Sequence, residues 1–242
     1  FQHFLQLRSG FFHVIILLSE MDGGDFLSEL VQKLFVWNIE DLKQLNGSST
    51  IVRNMQSGEI MIKKRLDNIN ADIMKKLCAI RHKNLAAVIK VTEENGTFYS
   101  YSEFVPGRSI QSYIDEGKIF SEEEALSIAV DICNGLEVLH ANGIIHRDIT
   151  AANIILSYDG NVKIIDYGIA RKSKENASRD TYILGTAGYA APEQFGFSQT
   201  DERTDIYAVG VLLNVLLTGK FPNEEICTGK FKKIVKRCTS ID

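Results

Sequence analysis

The chain has 242 residues, 45% of them hydrophobic, which is enough to bury the core of one large domain or of two lobes that share a cleft. Its 27 lysines and arginines stand against 31 aspartates and glutamates, and the resulting charge of −4 lacks the basic excess of nucleic-acid-binding proteins, so we expect no nucleic-acid target. The four cysteines form no C-x-x-C pair and no metal-ligand pattern with the histidines, which favours reduced thiols in a cytoplasmic protein.

Residues 1–37 form an N-terminal extension in which we identify no motif. Its apolar run at residues 14–18 is far shorter than the about 20 residues that a membrane helix needs. The run also lacks the basic flank and the small-residue cleavage site of a signal peptide. We therefore expect no membrane segment in this chain, and the phenylalanine at its start leads us to expect a fragment of a longer protein.

The next part of the chain predicts a small lobe made mostly of strands. Ser-Gly and Asn-Gly turns separate the segments that favour strands, which are residues 51–52, 59–66, 86–92 and 97–104. One helix interrupts them at residues 71–80, where Ile73, Leu77 and Ile80 share one face.

The second of these strands carries two adjacent lysines, Lys63 and Lys64. Successive side chains in a strand point to opposite faces, so the two lysines cannot both face the same side of the sheet. Lys64 shares its face with Ile60, Ile62 and Leu66. We therefore expect Lys64 to face the interior of the lobe, with Lys63 as the alternative.

After a hinge near residues 103–107 the hydrophobic period becomes that of helices. Ser121 followed by Glu124 forms a capping box that opens a long helix with a continuous apolar stripe. A second long helix is predicted at about residues 204–218. The larger part of the chain, residues 106–242, is therefore predicted to be helical.

Between the two long helices lie the residues that carry chemistry. Residues 146–153 read His-Arg-Asp-Ile-Thr-Ala-Ala-Asn, which places Asp148 and Asn153 on one loop. A predicted hairpin follows and ends in Asp166, the first residue of an Asp-Tyr-Gly sequence. Such a set suits phosphoryl transfer, where catalysis consists mainly of positioning and of neutralising phosphate oxygens through Mg²⁺.

These segments resemble the H-R-D-x-x-x-x-N catalytic loop and the D-F-G metal motif of eukaryotic-type protein kinases. Two later segments extend the resemblance: Ala-Pro-Glu at residues 191–193 and Asp-Ile-Tyr-Ala-Val-Gly at residues 205–210. The sequences of these motifs are similar to those of bacterial serine/threonine kinases. It covers about residues 38–242. It implies an α+β fold of two lobes, a mostly β N-lobe over residues 38–105 and a helical C-lobe over residues 106–242 that stops before the final helices of the family.

The resemblance implies catalytic roles for four residues. Asp148 would orient the acceptor hydroxyl and accept its proton, and Asn153 and Asp166 would hold Mg²⁺. Arg147 would bind a phosphorylated activation segment, because a cation beside the catalytic aspartate pairs with phosphate.

The resemblance also implies a binding site for ATP. Lys64, or else Lys63, would reach the α and β phosphates, and Gly47 would be the one remaining glycine of the phosphate loop. The backbone of Glu103 and Val105 would hydrogen-bond adenine.

Three departures from the family pattern leave alternatives open. The glycine-rich loop is reduced to Gly47, and the only acidic candidate to pair with the strand lysine is Asp72, which equally suits an exposed place in the first turn of its helix. Thr150 blurs the choice between serine/threonine and tyrosine acceptors.

We interpret the chain as a Mg²⁺- and ATP-dependent protein kinase acting on serine or threonine of a protein substrate. The alternatives are a pseudokinase that binds nucleotide or protein and, less favoured, a small-molecule kinase.

A regulatory role is expected for the hydroxyl residues between Gly168 and Gly185. We predict that phosphorylation of Thr181 would pair with Arg147 and order this segment. Thr186 is expected to hydrogen-bond near Asp148.

Overall fold

The computed structural model describes residues 38–66, 71–172, 185–195 and 200–240. These residues form a small lobe built on an antiparallel sheet and a larger lobe built mainly of helices, which confirms the expected two-lobe α+β fold. The N-terminal extension, residues 1–37, and the predicted phosphorylation site Thr181 lie outside the described residues.

The small lobe is a five-stranded antiparallel sheet with one helix. The elements are β1 (Ile39–Gln44), β2 (Ser49–Asn54), β3 (Ile60–Leu66), α1 (Ala71–Leu77), β4 (Val88–Glu94) and β5 (Thr97–Glu103). The strands lie in the order β1-β2-β3-β5-β4. Strands β2 to β5 confirm the predicted segments within a few residues, whereas β1 was not predicted and α1 ends at Leu77 rather than at residue 80.

The large lobe begins directly after the hinge. Its elements are β6 (Gly107–Ser109), α2 (Ile110–Asp115), α3 (Glu122–Ala141), β7 (Ile144–Ile145), β8 (Ile154–Ser157), β9 (Val162–Ile164), β10 (Arg171–Lys172), α4 (Glu202–Thr218) and α5 (Gly229–Cys238). Short 3-10 turns stand at Ala151–Asn153 and Pro192–Phe195. The two predicted long helices are α3 and α4, and α4 ends at Gly219, whose φ of 74° is the left-handed geometry of a helix C-cap.

Helix α3 begins where the capping box was predicted. The hydroxyl of Ser121 accepts the backbone N–H of Glu124 at 3.2 Å, and the Glu124 carboxylate accepts the backbone N–H of Ser121 at 2.8 Å. Two N–H groups at the helix start are satisfied in this way, which fixes the point at which the helix begins.

We expect Ser121→Ala to lower the free energy of unfolding by about 1 kcal/mol, because the capping hydroxyl is lost. Urea denaturation followed by circular dichroism measures the change. Glu123→Ala, in the same turn but outside the capping box, is the matched control and should change stability by less than about 0.5 kcal/mol. Equal losses for the two variants would contradict this account of the helix start.

The main core lies where α3 packs against α4 and the β8–β9 hairpin. Ile132, Leu136 and Leu139 of α3 are each at most 1% exposed, and burial of each such side chain contributes roughly 1.5–3 kcal/mol. At Gly135 the backbone of α3 comes so near to β9 that an added Cβ would lie 3.0 Å from the Cδ1 atom of Ile164. The close approach seats the hairpin firmly on α3.

The two lobes are joined by backbone hydrogen bonds between the segment before β4 and strand β9. The N–H of Ala86 donates to the carbonyl of Ile164, and the N–H of Ile164 donates to the carbonyl of Asn84, both at 2.9 Å. The buried side chain of Asn84 adds a third bond, from Nδ2 to the carbonyl of Val162 at 2.9 Å. These bonds fix the sheet of the small lobe relative to the hairpin and so define the cleft between them.

No helix within the described residues combines the length and the apolar character that crossing a bilayer would require.

Candidate active site

A cavity of about 400 Å³ lies in the cleft between the small-lobe sheet and the β8–β9 hairpin. This volume falls in the usual range for ligand sites, about 300–1,000 Å³. Its apolar walls include Leu45, Ile62, Met74, Ala86, Ile155 and Ile165, and its back edge is the hinge Glu103, Phe104 and Val105. Three polar side chains that the sequence nominated, Lys64, Asn153 and Asp166, also line it.

Lys64 and Asp166 form an ion pair across the cavity. The ammonium of Lys64 lies 2.6 Å from Oδ1 and 2.7 Å from Oδ2 of Asp166. Asp166 follows β9 with a left-handed φ of 63°, and its Oδ1 also accepts the N–H of Gly168 at 2.9 Å. The aspartate is therefore held in an uncommon backbone conformation that aims its carboxylate at the strand lysine.

Lys63 points to the opposite face of the sheet. Its ammonium pairs with Glu94 at 3.3 Å and stands 4.4 Å from the ring centre of Tyr99. Burial alone would lower the pKa of Lys63, but the interactions with Tyr101 and Glu94 raise that pKa above its ordinary value. This face is also partly covered, because Met61 on it is fully buried in a second small cluster of the core.

Asp148 and Asn153 meet within the catalytic loop. The Nδ2 group of Asn153 donates to Oδ2 of Asp148 at 2.7 Å and to its carbonyl at 3.0 Å. The hydroxyl of Thr186 donates to Oδ1 of Asp148 at 2.7 Å, which confirms the predicted contact. Both carboxylate oxygens are thus held, and the Asn153 amide is turned with its nitrogen toward Asp148.

The catalytic loop is anchored by the fully buried carboxylate of Asp205 on α4. This carboxylate accepts the N–H of His146 at 2.9 Å and of Arg147 at 2.7 Å, and it lies 2.7 Å from Nε2 of His140. Arg147 has a left-handed φ of 70°. This conformation is unfavourable in free energy for any residue other than glycine. The bond to Asp205 offsets that cost and so holds the loop in place.

Arg147, the residue before Asp148 in this loop, is itself buried. Its carbonyl accepts Nε2 of Gln194 at 2.8 Å, and Gln194 also accepts the N–H of Ala191. Arg147 is therefore joined to residues 191–194, whereas the predicted partner phosphate on Thr181 falls outside the described residues. Glu193 accepts the hydroxyl of Thr204 at 2.8 Å.

Tyr167 stands where the D-F-G motif of the family has phenylalanine, and its hydroxyl makes a contact that phenylalanine could not make. Its ring is buried and meets His146 edge to face, with 5.4 Å between the ring centres. Its hydroxyl donates to the carbonyl of Ala86 at 2.9 Å, and burial raises the pKa of Tyr167 above its ordinary value. The hydroxyl therefore adds another link between the two lobes.

We expect Tyr167→Phe to lower the free energy of unfolding by about 1–2 kcal/mol, because the buried carbonyl of Ala86 loses its donor. Thermal denaturation of the two proteins tests this. Tyr158→Phe, which removes the hydroxyl of a tyrosine with 76% of its surface exposed, is the control and should leave stability unchanged. Equal stability of Tyr167→Phe and the parent protein would show that the hydrogen bond contributes nothing.

Two further candidate residues, Gly47 and Asp72, lie away from the lining of this cavity. Gly47 is absent from the described residues that line the cavity and lies instead in a depression on the outer face of the sheet, together with Lys63. Asp72 has a side chain that is 74% exposed and 3.9 Å from Lys75, so it does not pair with the strand lysine. The residue of α1 that lines the cavity is the buried Met74, and Asp72, the one acidic residue of this helix, is not part of the lining.

The hinge carries an ion pair that the sequence reasoning missed. The Glu103 carboxylate accepts the N–H of Ala87 at 3.0 Å and lies 2.9 Å from the ammonium of Lys163 on β9. The side chain of Lys163 is only 14% exposed. Strand alternation gives no signal for this pair, because a lysine between the buried Val162 and Ile164 is expected to point away from them.

The two-lobe fold and the set of Lys64, Asp148, Asn153 and Asp166 around one cleft define a protein-kinase-like domain. Residues 44–241 match the family described as "Protein kinase domain". The chain belongs to this family.

Several curated relatives share the matched region. The chain is 38% identical over 152 residues to the "Probable serine/threonine-protein kinase PknB" of Corynebacterium glutamicum, covering 60% of this chain and 24% of that protein. It is 34% identical over 145 residues to the "Serine/threonine-protein kinase PrkC" of Bacillus subtilis, covering 60% and 22%. With the "Serine/threonine-protein kinase STY46" of Arabidopsis thaliana it shares 36% identity over 146 residues, covering 60% and 25%. The alignments thus span about a quarter of each of these relatives.

Proposed function

We propose that this protein is a Mg²⁺- and ATP-dependent protein kinase that transfers the γ-phosphoryl group to serine or threonine of a protein substrate. The observation that carries the proposal is the convergence of Lys64, Asn153 and Asp166 on one nucleotide-sized cavity, with Asp148 hydrogen-bonded to Asn153 at its edge. Serine and threonine are favoured as acceptors because the relatives named above are serine/threonine-protein kinases by name. We place the division between the lobes at residues 105 and 106, and a cytoplasmic location suits the four free cysteines.

The residues at the cavity are suited to bind Mg²⁺, the metal ion that protein kinases use. Asn153 donates through Nδ2 to Asp148, so its Oδ1 is turned away from that contact, and Asp166 contributes a carboxylate on the same cavity. Carboxylate and amide oxygens are the hard ligands that Mg²⁺ prefers. When bound, Mg²⁺ neutralises charge on the phosphate oxygens, and Asn153 and Asp166 would hold it.

In the mechanism that we propose, Asp148 is the base. Its carboxylate accepts hydrogen bonds from Asn153 and Thr186, which orient it without occupying all of its lone pairs. An acceptor hydroxyl that reaches this carboxylate would be oriented by it and would lose its proton to it. Lys64 contributes a positive charge for the phosphates, and the hinge backbone at Glu103 and Val105 contributes polar groups for adenine.

The test is a transfer assay with radiolabelled ATP. The protein is incubated with Mg²⁺ and a generic protein substrate, and the labelled amino acid is identified after hydrolysis. We expect Mg²⁺-dependent label on phosphoserine or phosphothreonine and no label when EDTA removes the metal.

Each contrary result has a distinct meaning. Label on phosphotyrosine alone would overturn the acceptor assignment. ATP binding without any transfer would favour the pseudokinase, whose support in this structure is the presence of Met74 rather than an acid on the cavity side of α1. Label on a small molecule but not on protein would favour the remaining alternative.

A further inference from the structure

The turn that joins β1 to β2 forms part of the roof of the cavity. Leu45, Asn46 and Ser49 line the cavity, and Ser49 is the neighbour of Lys64 in the pairing of β2 with β3. Backbone N–H groups of such a turn are the ordinary donors for phosphate oxygens, provided that they are available.

In this chain those donors are already engaged by a side chain. The Oδ1 atom of Asn46 accepts the N–H of Ser48 at 3.0 Å and the N–H of Ser49 at 2.9 Å. The hydroxyl of Ser48 donates to the same oxygen at 3.2 Å. The amide oxygen of Asn46 therefore occupies the place in the turn that an anion would otherwise take.

These three donors also determine how the amide of Asn46 is oriented. Only its oxygen can accept the two backbone N–H groups, so Oδ1 faces the turn and Nδ2 faces away from it. Within the part of the chain that the structure describes, no hydrogen bond uses Nδ2 of Asn46, and the residue is exposed at the cavity. The Nδ2 group thus leaves two N–H donors on a residue that lines the same cavity as Lys64.

We infer that Asn46 is a phosphate-binding residue of the nucleotide site, and the inference rests on the proposed use of ATP. Its Oδ1 holds the turn closed, while its Nδ2 donates to a phosphate oxygen in place of the backbone N–H groups that Oδ1 has taken. A neutral amide thereby replaces the glycine-rich backbone from which this chain departs. Lys64, which lines the same cavity, contributes the cationic contact.

Asn46→Asp separates this role from a purely structural one. Aspartate keeps an oxygen that accepts the N–H groups of Ser48 and Ser49, so the turn is retained. It replaces the two Nδ2 donors by an anionic oxygen that repels phosphate. Asn54→Asp is the matched control, because Asn54 Oδ1 accepts the N–H of Gln56 and of Ser57 in the β2–β3 turn, and Asn54 is not among the described residues of the cavity.

The experiment is calorimetric titration of the parent protein, Asn46→Asp and Asn54→Asp with ATP and with adenosine, without divalent cations. We expect Asn46→Asp to raise the Kd for ATP at least about tenfold, which corresponds to about 1.4 kcal/mol, and to leave the Kd for adenosine unchanged. Asn54→Asp should bind both ligands as the parent does. An unchanged Kd for ATP in Asn46→Asp, or an equal loss for ATP and adenosine, would overturn the inference. Failure of the parent protein to bind either ligand would instead overturn the proposed function and this inference with it.

Discussion

Replacing Asp148 by asparagine is expected to reduce phosphoryl transfer by about 10²- to 10⁴-fold, because the proton of the acceptor hydroxyl loses its base. The change should leave ATP binding intact, since Asp148 is not among the described residues that line the cavity. Single-turnover transfer and calorimetric titration with ATP measure the two quantities separately. A variant that transfers phosphate at the parent rate would remove Asp148 from the reaction.

The surroundings of Asp148 make asparagine a clean replacement. An asparagine carbonyl can accept Nδ2 of Asn153 in place of Oδ2, now at 2.7 Å. Its amide nitrogen can donate to the hydroxyl oxygen of Thr186, which rotates to accept instead of donating. We therefore expect an unchanged melting temperature, and a loss of transfer accompanied by unfolding would point to a structural role.

The parts of the fold that could be predicted carry a local signal. Strand β3 opens with the apolar run Ile60 to Ile62 just after a Ser-Gly turn, and α3 begins at a capping box that involves only Ser121 and Glu124. Strand β1 was missed because only its first residue, Ile39, is even partly buried, so the strand shows no alternation. Helix α5 was missed for a similar reason, since its two buried residues, Phe231 and Val235, make a single pair at helical spacing among lysines.

In the candidate site, too, the residues that could be predicted are those with a local sequence signal. Asp148, Asn153 and Asp166 were predictable because their spacing within one short segment is itself the signal. The contact of Lys64 with Asp166 joins residues that are 102 positions apart, and strand alternation predicted only which face Lys64 would take. The exposure of Asp72, the ion pair of Glu103 with Lys163 and the turn formed by Asn46 depend on how α1, the hinge and the roof pack, for which a single sequence contains no direct signal.

Replacing Lys64 by methionine is expected to lower kcat/KM for ATP-dependent transfer by about 10²- to 10³-fold, because a preorganised cation at the phosphates is lost. Methionine keeps most of the length of the side chain, so the packing beside Ile62 should be preserved. Initial rates at varied ATP concentrations give kcat and KM, and circular dichroism verifies the fold.

Lys63→Met is the matched control, since it removes the same charge from the next residue of the same strand. It breaks a partly exposed pair with Glu94, which contributes about 0.2–1 kcal/mol to stability, and it leaves the cavity untouched. We therefore expect transfer close to that of the parent protein and a small drop in melting temperature. A greater loss of transfer in Lys63→Met than in Lys64→Met would give the phosphate-binding role to Lys63. It would also mean that the ion pair of Lys64 with Asp166 is not the arrangement in which the reaction occurs.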